Sequence, residues 1–234
     1  MKRHKRLVIV GGGTAGWITA SWFARRWGKM MDIVVIDKSE PERVGVGEAT
    51  LLSFPNVMKM MGYKPTDWMK EIDATFKAGI LFPGWGKEDQ TIWHPFSFTS
   101  VGDSKTPLYD LWQSFLDEYD IKEISPMYVS SMKNRIETDY IHDSYAFQID
   151  CGKLVQFLQK NTIPYLKEYI QSDVVDIHRD GQSDDITCSS IKHLVLDDGS
   201  KITGDLFIDC TGWKQMLIGK KNVDCSLSLI HISE

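Results

Sequence analysis

The 234-residue sequence predicts an α/β fold with a parallel sheet at its centre, and three observations carry that expectation. Leu7–Val10 is a run of four apolar residues, the length of a buried strand. Gly11, Gly12 and Gly13 follow. From Thr14 the apolar residues Ala15, Ile18, Ala20, Phe23, Ala24 and Trp27 recur at roughly helical spacing, and Gly28 is placed to end the helix. Asp32–Asp37 then reads as a second strand. Strand, glycine turn, helix and strand make a βαβ start, which builds a parallel sheet with helices on its faces.

The glycine turn also carries chemistry. Gly11, Gly13 and Gly16 fit G-x-G-x-x-G between a strand and a helix, the context that gives the pattern meaning. The first glycine allows the tight turn, the second lets the backbone approach a pyrophosphate, and the third lets helix pack on strand. The helix start attracts phosphate through its N–H groups and dipole. Asp37 follows Gly16 by about 20 residues, the spacing of a carboxylate that accepts a ribose hydroxyl. The plain alternative is an ordinary strand–turn–helix with structural glycines.

Composition narrows the class. Apolar residues make up 42% and charged residues 25%, as in globular proteins. The net charge of −5 argues against nucleic acid as a main partner. No run reaches the ~18 apolar residues of a membrane span. The basic start MKRHKR leads straight into the glycine turn and lacks the longer apolar core of a signal peptide, so the expected location is the cytoplasm. Cys151, Cys188, Cys210 and Cys225 are widely spaced, which suggests free thiols and neither a metal site nor a disulfide framework.

Further along, Arg43–Thr50 (RVGVGEAT) reads as a second backbone-exposing loop, and residues 51–61 as a helix. Glu48 ahead of that helix is explained equally by the helix dipole. Ala74–Phe82 reads as a strand or buried extended segment in which Lys77 is the lone charge. Such a lysine either snorkels to solvent or is desolvated for chemistry. Pro83–Gly102 reads as an aromatic loop in which His94, Pro95 and Phe96 either wall a pocket for a flat substrate or fill a core. Pro107–Tyr119 has the pattern of an amphipathic helix, and residues 121–144 are polar and irregular. A short strand then precedes a helix capped near Asp150. Asp173–Ile177 is strand-like. Ile186–Leu196 and Lys201–Thr203 flank a hairpin turn at Asp197–Ser200. Asp205–Asp209 is a last strand, and its exit through Cys210, Thr211 and Gly212 would return the backbone to the first glycine loop.

Together these motifs resemble the flavin-dependent halogenases, the tryptophan-halogenase family. GGGTAGW at 11–17, VGVGEAT at 44–50, a lysine in an apolar segment, H-x-F at 94–96, Y-x-F-x-x-D at 145–150 and DLFIDCTGW at 205–213 stand here in that family's order. The resemblance covers about residues 5–220 and implies a Rossmann-like FAD-binding fold of the flavoprotein monooxygenase type. It implies that Gly11, Gly13, Thr14, Ala15 and Gly16 hold the pyrophosphate and that Asp37 holds the adenosine ribose. Val46, Gly47, Glu48 and Ala49 would form the loop that covers the flavin and links it to the substrate site. Val174 or Val175 would meet the adenine end, and Asp209 and Gly212 would lie in a later cofactor-contacting motif. In such enzymes FADH2 reacts with O2 to form a C4a-hydroperoxyflavin, and chloride or bromide attacks it to give hypohalous acid. A lysine, here Lys77, relays that oxidant to an electron-rich arene such as tryptophan or indole. His94 and Phe96 match positions flanking the substrate. A separate flavin reductase is the implied partner, a homodimer is left open, and neither nucleic acid, membrane nor metal is implied.

The family's W-x-W-x-I-P segment and its later glutamate do not occur in this sequence. The expectation is therefore a truncated fold: residues 1–226 as the N-terminal part of the halogenase domain, and 227–234 (LSLIHISE) as a tail resembling a translated sequencing adaptor. Two other readings stand beside the halogenase: another FAD-dependent monooxygenase or oxidoreductase on the same fold, and an inert FAD-binding fragment.

Overall fold

The computed structural model describes residues 5–38, 47–85, 91–96, 126–133, 145–180 and 190–218. The chain divides into two compact units, Met1–Val44 with Leu154–Glu234, and Gly45–Lys153.

The first unit is built on β1 (Lys5–Val10), α1 (Thr14–Trp27) and β2 (Met31–Asp37). Leu7–Val10 and Ile33–Ile36 are buried on both faces, which is why they read as unbroken apolar runs rather than alternating ones. The sheet order is β12-β1-β2-β8, where β8 is Glu168–Gln171 and β12 is Leu206–Asp209. All its pairings are parallel. Period-two alternation sends Val8, Val10, Val34 and Ile36 to one face. There they pack with Leu194, Leu196, Ile202 and Leu217. Each such side chain contributes about 1.5–3 kcal/mol on burial.

Leu194, Leu196 and Ile202 belong to a three-stranded antiparallel sheet of β9 (Val174–Asp180), β10 (Ser190–Leu196) and β11 (Lys201–Ile202). Its β10–β11 turn places Gly199 at φ +80°, where a side chain would be strained. His178 and His193 stack across β9 and β10, with ring centroids 4.5 Å apart and planes 15° apart. Burial pushes the His193 pKa below its ordinary value. The charges of His178, Lys201 and Lys192 push the same way, against Asp176. A histidine with a lowered folded pKa takes its proton more readily in the unfolded chain. Its stabilising effect is present above about pH 6.5 and is lost as pH falls below that toward the folded value. Thermal melting is expected to show Tm dropping between about pH 7 and pH 5, and dropping less in His193→Phe. Equal slopes in the two proteins would remove His193 from this account.

The second unit holds β3 (Gly47–Ala49), α2 (Phe54–Met60), α3 (Pro65–Trp68), β4 (Thr75–Lys77), β5 (Gly79–Pro83), β6 (Thr91–Pro95), α4 (Pro126–Met132) and β7 (Ala146–Asp150). β7 pairs antiparallel with β3 on one side and β4 on the other, and β5 pairs antiparallel with β6. Trp68 and Phe147 are fully buried with ring centroids 4.8 Å apart, and Phe54 meets Trp68 edge-on at 5.5 Å. Helix α5 (Cys151–Thr162) follows β7 directly. The Asp150 carboxylate caps it by accepting the Lys153 N–H at 2.9 Å.

Several sequence expectations are corrected. Gly47–Ala49, within the expected loop, is a strand, because β7 supplies its ladder partners. Thr91–Pro95, within the expected aromatic loop, is a strand because β5 pairs with it. The helix expected over 51–61 is confined to Phe54–Met60, with Pro55 in its first turn. The extended segment 74–82 is two strands in different sheets, divided at Ala78. Part of the irregular stretch 121–144 is helix α4. β8 lies where the sequence gave no strand signal. The helix expected at Pro107–Tyr119, Val46, Cys188, Cys225 and the tail 227–234 lie outside the described residues. No helix among the described residues is long and apolar enough to cross a membrane.

Candidate functional site

In the first unit the chain leaves β1 through the glycine run. Gly11 has φ +111° and donates its N–H to the Ile36 carbonyl at 2.8 Å. A Cβ on Gly11 would lie 2.2 Å from the Cys210 carbonyl oxygen, and one on Gly16 would lie 1.8 Å from the Gly11 carbonyl oxygen. A Cβ on Gly12 would lie 1.9 Å from the Asp37 carboxyl carbon. The fold itself therefore dictates these three glycines. Gly13 differs: it is exposed, and a Cβ there would meet nothing within 4 Å. Among the described residues no contact requires that glycine; a ligand approaching the backbone would.

Gly13 is also the N-cap of α1. It offers no side-chain cap, and the first turn holds no acidic residue. Trp17 makes the first helical bond, to the Gly13 carbonyl at 3.0 Å. The N–H groups of Thr14, Ala15 and Gly16 precede it and have no intrahelical acceptor, the arrangement that takes a phosphate.

Asp37 closes one side of this cradle. It is 4% exposed at the end of β2, with its carboxylate against Gly12. Oδ1 accepts the Lys38 N–H at 2.9 Å, and Oδ2 accepts the Tyr169 hydroxyl at 3.4 Å. β12 closes another side. Asp209 pairs opposite Val10, and Cys210 donates its N–H to the Val10 carbonyl at 2.8 Å, so the late strand does return to the glycine loop.

The Asp209 carboxylate is engaged within its own loop. Oδ1 accepts the Thr211 hydroxyl at 2.6 Å and the Thr211 N–H at 3.0 Å. Oδ2 accepts the N–H groups of Leu217 at 2.7 Å and Ile218 at 3.2 Å. Burial alone would raise its pKa, but these donors outweigh it and hold the group below the usual carboxylate range. Asp209 thus shapes the loop. Gly212, at φ +60° with open space where a Cβ would be, is what the loop presents outward. Val174 is half-buried and Val175 is exposed at the start of β9, where with Asp176, Ile177 and Met216 they line an open depression.

The second unit gathers the other candidates. Lys77 ends β4 opposite Ala146 and is half-buried. Phe96 donates its N–H to the Ala78 carbonyl at 3.0 Å, which brings its ring beneath the Lys77 Nζ, 5.1 Å from the centroid. A cation over an aromatic face at this range gains about 0.5–1 kcal/mol at an exposed site. His94 sits exposed on β6 opposite Ile80, its ring centroid 6.2 Å from that of Phe96. Lys77, His94 and Phe96 therefore form one cluster, although nineteen positions separate the first from the last.

Gly47, Glu48 and Ala49 are exposed on β3. Glu48 Oε2 accepts the Cys151 thiol at 3.3 Å. Cys151 is the first residue of α5, so the helix start beside Glu48 is that of α5 and not of α2 as the spacing suggested. Sequence reasoning missed Gly12 and Tyr169. The unbroken run of three glycines was a signal for Gly12; nothing local marked Tyr169. Among the described residues no group of three or more His, Cys, Asp or Glu is gathered to hold a metal ion.

Comparison with known proteins gives a consistent result. The family described as "Tryptophan halogenase" matches residues 6–229. Among curated relatives, the 7-chloro-L-tryptophan 6-halogenase KtzR of a Kutzneria species is 28% identical, over 92% of this chain and 46% of its own length. The tryptophan 6-halogenase ThaL of Streptomyces albogriseolus is 29% identical, over 93% of this chain and 44% of its own. Among solved structures, the flavin-dependent halogenase Xcc4156 from Xanthomonas campestris superposes with a TM-score of 0.79 at 30% identity, over 92% of this chain and 43% of its own. BrvH from Brevundimonas gives 0.75 at 26% identity, over 93% and 44%. The chain thus spans a little under half the length of these proteins.

Proposed function

The chain belongs to the tryptophan halogenase family, and from that premise we propose that the whole protein halogenates tryptophan or another electron-rich indole with FADH2, O2 and chloride or bromide. The observation that carries this reading is the Lys77 amine held half-buried over Phe96 with His94 beside it. When bound, the reduced flavin supplies the activation of dioxygen that oxidises the halide.

This chain's own residues bind and orient. Gly13 and the N–H groups of Thr14, Ala15 and Gly16 receive the pyrophosphate, with Gly11 making the turn. Asp37 accepts a ribose hydroxyl, and Val174 or Val175 meets the adenine end. Gly212 approaches the cofactor from a loop that Asp209 shapes. Gly47, Glu48 and Ala49, exposed on β3, serve as the flavin-covering segment that the family resemblance implies. The Lys77 ammonium, over the Phe96 ring, donates a hydrogen bond to hypohalous acid and turns its electrophilic halogen toward the arene. A neutral amine would instead be halogenated itself. Phe96 and His94 bound the flat substrate.

A separate flavin reductase, the partner the family resemblance implies, supplies the reduced cofactor. The cytoplasm, whose reducing conditions keep cysteines as thiols, is the location we assign. The 46% coverage of a curated relative favours a second reading for the isolated chain, flavin binding without turnover. The experiment supplies this chain and the whole protein with FAD, a flavin reductase, NADH, bromide and tryptophan or indole, and follows product by mass spectrometry. A monobrominated product from the whole protein is expected. An oxygenated product free of bromine would assign a monooxygenase instead.

A further inference from the structure

We propose that Tyr169 is a positioning residue that fixes the Asp37 carboxylate for a ribose hydroxyl, an inference that rests on the reading of Asp37 as the ribose acceptor. β8 runs parallel to β2 with Tyr169 opposite Val35 and Gln171 opposite Asp37. Residues two apart in a strand share a face, so Tyr169 lies on the face of Val35 and Asp37.

On that face the Tyr169 ring meets Trp17 edge-on, with centroids 5.3 Å apart and planes at 66°. Trp17 is fully buried, so the Tyr169 ring cannot withdraw without disturbing the core. Gln159 Nε2 donates to the Tyr169 hydroxyl at 3.5 Å, and that hydroxyl donates to Asp37 Oδ2 at 3.4 Å. Both bonds are long, and neither is strong by itself. The buttressed ring is what makes the hydroxyl effective, because it holds a donor in place without further ordering cost.

The opposite limits are equally fixed. Lys38 donates its N–H to Oδ1 at 2.9 Å, and the carboxylate fills the space a Gly12 side chain would need. A buried carboxylate without donors is costly and would rotate to find them. Here Gly12, Lys38 and Tyr169 leave it one orientation. A carboxylate accepts up to about four hydrogen bonds, so a donor on each oxygen is compatible with a ribose hydroxyl on the same group. Tyr169 therefore tunes recognition of the sugar, not the attraction of the phosphates.

The test titrates this chain with ADP and with 2′-deoxy-ADP by calorimetry, beside thermal melting of each variant. The unaltered chain is expected to prefer ADP by roughly tenfold, as for one hydrogen bond to a charged group. Asp37→Asn should abolish the preference. Tyr169→Phe should melt near the parent and shrink the preference to about threefold, while 2′-deoxy-ADP affinity stays unchanged. Placing 3-fluorotyrosine at position 169, a stronger donor of nearly the same shape, should enlarge the preference and covers the case in which the phenylalanine variant misfolds. If Asp37→Asn abolishes the preference but neither change at Tyr169 alters it, or both nucleotides weaken equally, Tyr169 is merely structural and the proposal falls. If Asp37→Asn leaves the preference intact, the ribose reading itself fails.

Discussion

Replacing Lys77 by alanine is expected to cut halogenated product by roughly 10²- to 10⁴-fold, the range for losing a positioned proton donor, while FAD titration and thermal melting stay near the parent. The split follows from where Lys77 sits. Lys77 is only half-buried and its amine lies over one ring at 5.1 Å, so its removal costs the fold little. The glycine loop that would bind the cofactor belongs to the other compact unit. Lys77→Arg is the sharper variant, since it keeps the cation over Phe96 but replaces a compact ammonium with a planar fork. Low turnover in Lys77→Arg would tie activity to the shape of the donor and not to charge alone. Undiminished bromination in Lys77→Ala would remove the relay and favour a different flavoprotein chemistry.

What the sequence made legible was local. β1, the glycine run, α1 and β2 each carry their signal within a few neighbours: four buried aliphatics, a turn only glycine can make, a helical stripe, four more aliphatics. Asp209 and the return of β12 beside β1 were legible because DLFID repeats the compact apolar pattern of a parallel strand. What was not legible depends on distant partners. β3 is a strand because β7, about a hundred residues on, supplies its ladder. Its composition, a glycine followed by an acid, reads as a loop. β6 contains His94 and Pro95 among aromatics, and only pairing with β5 makes it extended. β8 follows the end of α5 with no glycine punctuation, and its place is set by β2 and by the ion pair of Glu168 with Arg6 at 3.0 Å. The candidate site divides along the same line. Gly11, Gly13 and Gly16 could be ranked by motif. Gly12 facing Asp37, and Tyr169 behind that carboxylate, exist only once β1, β2 and β8 are side by side.

Two glycines of one motif are expected to fail in opposite ways when replaced by alanine. In Gly16→Ala the new methyl would lie 1.8 Å from the Gly11 carbonyl oxygen, with the Cys210 side chain at 3.5 Å behind it. The two nearest atoms are the carbonyl oxygen and carbon of Gly11, fixed by the strand–helix turn, so α1 itself must shift off the sheet. Overpacking of this kind costs about 3 kcal/mol, which lowers Tm by roughly 10 °C in a chain of this size. In Gly13→Ala the methyl meets nothing, and the backbone at φ −76° suits alanine. Melting should be unchanged or slightly higher, since alanine has less freedom to lose on folding. That methyl nevertheless stands before the N–H groups that open α1, where the second glycine of the motif lets a pyrophosphate approach. FAD and ADP affinity should therefore fall by about tenfold or more, equivalent to ~1.4 kcal/mol, in a protein that remains folded. A Gly13→Ala chain that binds both nucleotides like the parent would mean that phosphate does not lie against this loop, and the open space at Gly13 would then need another occupant.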